Sequence, residues 1–207
     1  SYSTWSTVSF TTACAPVSAF TENFDGVVAP AFLNCWARVG TAGNANIQTT
    51  SPSSGINTMY LYGFSGSLGV VKTIPVSNLG AGTHRLNFKM RGNFTAGDDV
   101  EVGYLTDPAD AATFIALGTV NAATLTYADY TVTPPAGVYS NYLAFRHTGT
   151  IGASVLIDDV VWEPIPACNN PSGLVVSALT SASATVTWTA TTGSYEYVLD
   201  TNAADPA

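Results

Sequence analysis

Residues 83–91, THRLNFKMR, alternate without a break. Leu86, Phe88 and Met90 fall on one side, and Arg85, Asn87, Lys89 and Arg91 on the other. That is the period of a strand with one buried and one wet face. Such a strand cannot stand alone; it needs neighbours at its edges and a second layer over its apolar side. Runs at 57–64 (NTMYLYGF), 69–76, 98–105 (DDVEVGYL), 114–120, 127–133, 142–147 (YLAFRH) and 154–162 supply them, each ending in Gly, Pro or Asn turns. Pro75 marks 69–76 as an edge or a strand end. Residues 108–112 are the one helix-tempting stretch and read as a loop or a single turn. Many short strands with no convincing helix predict an all-β sandwich or barrel.

Composition narrows what such a fold would do. The chain has 207 residues, 46% of them hydrophobic, enough for one sizeable core. Six Lys and Arg against 14 Asp and Glu leave a net charge of -8. That surface disfavours nucleic acid and anionic lipid and suits bound cations, with Ca2+ the first candidate. Charged residues are only 10%, and Thr, Ser, Gly, Ala and Asn take their place, a composition that looks extracellular. No apolar run reaches the roughly 18 residues of a membrane span. Of the three cysteines, Cys14 and Cys35 flank the stretch 21–26 and would bridge across it in an oxidising compartment; the alternative is two separate buried thiols. Cys168 is left over.

Two acidic motifs frame the β-rich region. TENFDG at 21–26 carries Glu22 and Asp25 in a turn, and VLIDDVVWE at 155–163 carries Asp158 and Asp159 within strand formers. After the second, PIPACNNP at 164–171 reads as a stiff linker. Beyond it, 173–177, 184–189 and 195–200 read as strands of a further domain. The segment 2–12 reads as one extended strand. The chain therefore reads as a piece of something larger.

TENFDG, then Cys35-Trp36, then LIDDVVWE at 156–163 resemble the jelly-roll modules of secreted Bacteroidetes-type proteins: the MAM-like, cleaved-adhesin or choice-of-anchor domains. The residues at 168–199, with Pro171, Leu174, Trp188 and Tyr197, resemble the opening strands of a fibronectin type III domain. TWSTVSFTTAC at 4–14 resembles the last strand of one. The resemblance implies an all-β chain: 1–14 the end of a fibronectin-like domain, 15–163 a jelly-roll β-sandwich, 164–171 a linker, and 172–207 the start of a second fibronectin-like domain. It also implies neighbouring β-sandwich modules of the same polypeptide as partners, at a cell surface or in the extracellular space. Longer Asp-Gly-rich calcium loops found in several relatives are not obvious here.

Calcium needs about six to eight oxygen ligands. First and last strands of a jelly roll can be neighbours, so Glu22, Asp25 and Asp159 are expected to converge, with Asn57 and backbone carbonyls completing the shell. On a regular strand adjacent Asp158 and Asp159 face opposite ways, and Asp159 is taken as the ligand. The competing reading is solvated turn and edge carboxylates. Asp98 and Asp99 are a weaker second candidate. Catalysis finds little support: His84 and His147 lie in different strands without H-x-x-x-H or H-x-H company, there is no G-x-S-x-G, and Glu101, Asp107, Asp110 and Glu163 form no evident pair. Tyr60 and Tyr62 share a parity opposite Met59 and Leu61. If they face outward they form a platform for a sugar, with Arg91 and Arg146 as distant polar candidates; otherwise they cover a neighbouring surface. The expected function is a non-catalytic adhesion or spacer module, stabilised by calcium. The alternative is a carbohydrate-binding module attached to an enzyme outside this stretch, with a glycan or a surface protein as the ligand.

Overall fold

A computed structural model of the chain describes residues 14–41, 43–63, 68–148, 153–166 and 172–189. The expected strands at 2–12 and 195–200, and Cys168, lie outside the described residues. The chain divides into two compact units, Ser1–Ile165 and Pro166–Ala207.

The first unit is a two-sheet antiparallel sandwich of the jelly-roll kind, with no α-helix among the described residues. One sheet runs β3 (Asn44–Gln48), β4 (Thr58–Tyr62), β11 (Ser154–Pro164), β6 (His84–Gly92), β9 (Ala128–Val132), with β1 (Phe20–Glu22) also on β11. The other runs β2 (Ala37–Arg38), β5 (Val70–Lys72), β10 (Tyr142–His147), β7 (Asp98–Leu105), β8 (Phe114–Ala122). The alternation of 83–91 is realised in β6: Leu86, Phe88 and Met90 are buried and the polar residues between them, Asn87 and Lys89, are half-exposed. From β4 come Met59 and Leu61, from β11 Val155 and Ile157, and from the facing sheet Val100, Val102, Leu143 and Phe145. Trp36 and Trp162 are both core residues. Trp36 meets Phe20 and Phe24 edge-on, at 5.7 and 5.3 Å between ring centroids.

Some strands differ from expectation. Strand β3 was not anticipated, because Asn44, Asn46 and Gln48 mask an alternation carried only by buried Ala45 and Ile47. Strand β5 is shorter than 69–76: Pro75 leaves the ladder, and its carbonyl instead accepts from Val17 N at 2.9 Å. Strand β11 continues through Pro164, opposite His84. The 108–112 region holds one 3-10 turn, Ala111–Thr113, capped by the Asp110 carboxylate on Ala112 N. Cys14 and Cys35 form a disulfide with a Cα–Cα distance of 5.8 Å.

The topology places the acidic motifs together. Along one edge, β11 pairs with β4 over Ser154–Ile157 and with β1 over Val160–Trp162. The ladder to β6 slips between Asp158 and Val161, where Asp159 adopts φ 48°. The end of β1, the start of β4 and this bulge therefore meet at one place.

In the second unit, β12 (Ser172–Ser177) and β13 (Thr185–Thr189) form an antiparallel pair. The turn between them closes through Thr180 N to Ser183 O at 2.8 Å. Leu174, Val176 and Trp188 are exposed.

Candidate functional site

The chain between β3 and β4, residues 51–57 (SPSSGIN), is held by carboxylates from two sides. From the β1 side, Asp25 Oδ1 accepts from Ile56 N at 2.7 Å and Asn57 N at 3.0 Å, and Oδ2 accepts from Asn23 Nδ2 at 3.0 Å. Asn57 is buried and returns the contact, donating from Nδ2 to Phe24 O and Val27 O, both at 2.9 Å. Glu22 Oε1 accepts from Phe24 N at 2.6 Å. Gly55 lies against Asp25: a Cβ there would stand 1.6 Å from Oδ2. From the β11 side, Asp158 Oδ2 accepts from Ser53 N at 2.7 Å and Ser54 N at 3.3 Å, and Oδ1 accepts from Asp159 N at 2.8 Å. Asp159 takes the Ser54 hydroxyl on one oxygen and Lys89 Nζ, at 3.2 Å, on the other.

This corrects one expectation. The two aspartates do not face opposite ways; both reach the 51–57 chain. The reason is the left-handed backbone at Asp159 and the bulge behind it, which abolish the period-two rule locally. Asp158, not Asp159, is the buried member. Burial pushes the Asp158 carboxyl up to about 6, against three backbone N–H groups that hold it down. Glu22 is also raised, first by burial and then by the negative charge of Asp25, with the Phe24 N–H opposing. Asp159 lies below the usual range: burial works against it, but the Ser54 hydroxyl and the Lys89 ammonium outweigh burial.

Glu22, Asp25, Asn57 and Asp159 thus border one junction without sharing a common centre. Among the described residues no three His, Cys, Asp or Glu side chains are grouped to hold a metal ion. The set is rich in oxygen, and of its carboxylates burial raises Glu22 while Asp159 is lowered by its Ser54 and Lys89 contacts. Glu22, Asp25 and the Phe24 and Val27 carbonyls are the oxygens nearest to hand on the β1 side. Sequence reasoning missed the 51–57 chain as the common partner; its Ser-Pro-Ser-Ser-Gly composition was the available signal.

The other candidates separate. Asp98 and Asp99 start β7 rather than a solvated turn. Asp98 points into the sandwich, with Oδ2 3.3 Å from Nε2 of buried His147. Asp99 points out to Asn121 Nδ2 at 2.6 Å. His84 stacks on Trp162 and bonds Asn78 Nδ2 and Thr83 Oγ1. Glu101 pairs with Arg146 at 2.7 Å, and Glu163 with Arg85 at 2.7 Å.

Tyr60 and Tyr62 do face outward. Met59 and Leu61 are fully buried, while the two tyrosines are half-exposed on the outer side of the first sheet. Their rings are 6.4 Å apart and within 7° of parallel. Across the sheet the same face carries Asn46 beside Tyr60, then buried Leu156, then Arg91. Below them Tyr127 lies over Thr58, its hydroxyl 3.0 Å from both Thr58 Oγ1 and Ser51 O. Burial pushes the Tyr127 phenol up to about 12, the Thr58 bond opposing. The Arg91 guanidinium sits 5.9 Å from the Tyr127 ring centre. Arg146 is not part of this face; it lies on the other sheet over Phe114.

No family model matches the chain, and no curated protein matches it. Solved structures do. The K2 cleaved adhesin domain of Lys-gingipain superposes with a TM-score of 0.58 at 17% identity, covering 70% of this chain and 99% of that one. The K1 cleaved adhesin domain of the same protein, from Porphyromonas gingivalis, gives 0.53 at 18% identity, covering 72% and 99%. A C-terminal family 22 carbohydrate binding module of Clostridium thermocellum Xyn10B gives 0.53 at 8% identity, covering 73% and 95%. At these identities the shared property is the fold, a β-sandwich resembling the cleaved-adhesin domains.

Proposed function

We propose that the chain is a non-catalytic adhesion or display module of a secreted or cell-surface multidomain protein, stabilised by calcium where β1, β4 and β11 meet. The observation that carries this is the convergence of both acidic motifs on the 51–57 chain. Carboxylates there serve to tie the first and last strands of the sandwich together, a structural task. Glu22 and Asp25, with Asn57 and the carbonyls it orients, are the residues that would hold the ion. Asp159 borders them through Ser54. The antiparallel pair β12–β13 supports reading 172–207 as the opening of a fibronectin-like domain and 164–171 as the linker before it. The two classes of fold neighbour, adhesin domains and carbohydrate-binding modules, support an extracellular setting in which other modules of the same polypeptide are the immediate partners. Calcium titration by calorimetry, paired with thermal melting with and without chelator, tests the reading. A chelator-sensitive melt, weakened by Glu22→Ala or Asp159→Ala, is expected. No heat and no shift would remove the metal from the proposal.

A second reading is favoured by the tyrosine face. Two parallel, half-exposed rings beside amide side chains suit a sugar, whose apolar face packs on an aromatic while its hydroxyls meet polar groups. The module then serves as a carbohydrate-binding unit. A glycan screen of the chain and of Tyr60→Ala tests it; binding that survives the substitution unchanged would place the ligand elsewhere.

A further inference from the structure

We propose that the tyrosine face selects an acidic glycan, with sugar rings against Tyr60 and Tyr62 and its carboxylate or sulfate groups met by Arg91 on one side and by Arg38 on the other. The inference rests on the glycan reading above and adds the charge of the ligand.

The argument comes from accounting for the cations. The chain has six Lys and Arg. Arg85, Lys89 and Arg146 are paired with Glu163, Asp159 and Glu101 at 2.7, 3.2 and 2.7 Å. Lys72 donates to the Pro108 carbonyl at 3.2 Å. Arg38 and Arg91 remain, and neither has a carboxylate partner among the described residues. Every Asp and Glu of the first unit lies among those residues. In a chain of net charge -8 these two guanidinium groups meet no carboxylate.

Their positions are not scattered. Arg91 lies in the cross-strand row of Tyr60, separated from it by Leu156. Arg38 Nη1 reaches Asn44 Oδ1 at 3.5 Å, and Asn44 stands directly opposite Tyr62. The two unpaired arginines therefore flank the tyrosine pair on its two sides. Arg91 is held in place without being neutralised: Nε donates to Gly92 O at 2.9 Å and Nη2 to Asn93 O at 3.5 Å, with Tyr127 against its plane. The acids of this face stand in the next row, around Lys89, and none of them contacts Arg91. Asp158 is buried under the 51–57 chain, Asp159 is paired with Lys89, and Asp129 stands opposite Lys89 in register. A fixed guanidinium fork with open donors matches the oxygens of a carboxylate or sulfate. The net charge of the whole chain repels such a ligand at long range, so recognition depends on contact at this face.

The test is calorimetric titration of the whole chain with three probes at one salt concentration: an oligogalacturonate, a chondroitin sulfate oligosaccharide and neutral xylohexaose. The expected result is binding of an acidic probe, with xylohexaose at least about tenfold weaker, as loss of a charge-assisted pair implies. Oligogalacturonate carries carboxylates alone and chondroitin sulfate carries both groups, so binding of the first shows that carboxylate suffices and binding of the second alone shows that sulfate is required. Arg91→Gln should weaken the acidic probe about tenfold. Arg38→Gln, on an exposed side chain, gives an independent check should Arg91→Gln disturb the fold in a melt. Xylohexaose binding as tightly as the acidic probes, unaffected by either substitution, would overturn the charge inference and leave the glycan reading standing. No binding of any probe would overturn both.

Discussion

Gly55→Ala tests the clamp on the 51–57 chain at its tightest point. The new Cβ would sit 1.6 Å from Asp25 Oδ2 and 2.3 Å from its Cγ. Gly55 also has φ +56°, which costs an alanine about 1 kcal/mol. Relief of the clash requires Asp25 to move, and that frees the N–H groups of Ile56 and Asn57. The Ile56 side chain is exposed and its N–H can find water, but Asn57 is buried. Leaving its N–H unmet costs roughly 1–3 kcal/mol. The sum is roughly 2–4 kcal/mol, which for a unit of this size lowers Tm by about 5–15 °C. The assay is a thermal melt of the whole chain, in calcium and in chelator. Asp25→Ala, and then both changes together, complete a cycle. Once the carboxylate is gone, Gly55→Ala should add only the backbone cost of about 1 kcal/mol. A single Gly55→Ala variant that melts within a degree of wild type, or a double variant that shows full additivity, would refute the clamp.

Two further outcomes follow from the interior. Reduction of Cys14–Cys35, which closes a separation of 21 residues, should destabilise the first unit by about 3 kcal/mol, seen as a lower Tm in reductant; an unchanged melt would show the bridge to be dispensable. Burial holds the His147 imidazole below its ordinary value, with the charges of Asp98 and then Asp99 opposing. Below about pH 6.5 the unfolded chain therefore binds more protons than the folded one. The His147 contribution to stability should be fully present above that pH and lost as the pH falls toward the lowered folded value, while Asp158, raised to about 6, contributes in the opposite sense as the pH rises through that value. An NMR titration of the ring with a midpoint at or above about 6.5 would contradict this.

The legible parts of this protein were those where local pattern and tertiary burial agree. Strand β6 could be read residue by residue, because one face meets the core and the other meets water. The same rule put Tyr60 and Tyr62 on the side opposite Met59 and Leu61, but which pair faces the core was settled by the structure, where Met59 and Leu61 are buried. Strand β3 was hidden, since an edge strand buries only Ala45 and Ile47 and needs few apolar residues. Histidine 147 and Asp98 were unreadable as a pair: each is an isolated polar residue in its own strand, and only the pairing of β10 with β7 sets them side by side.

What the sequence determined by itself was the longer strands, an all-β sandwich or barrel built from them, and the two acidic motifs that bracket it. Period-two alternation is a local property, so it survives without knowledge of the fold. Only the tertiary structure decided where those carboxylates point. A left-handed residue at Asp159 and a slipped ladder turn both aspartates onto one chain segment, and a bulge of that kind is fixed by which strands lie on either side of β11. The same holds for Arg38 and Arg91. Their charge is in the sequence, but their lack of acidic partners is a property of the assembled face.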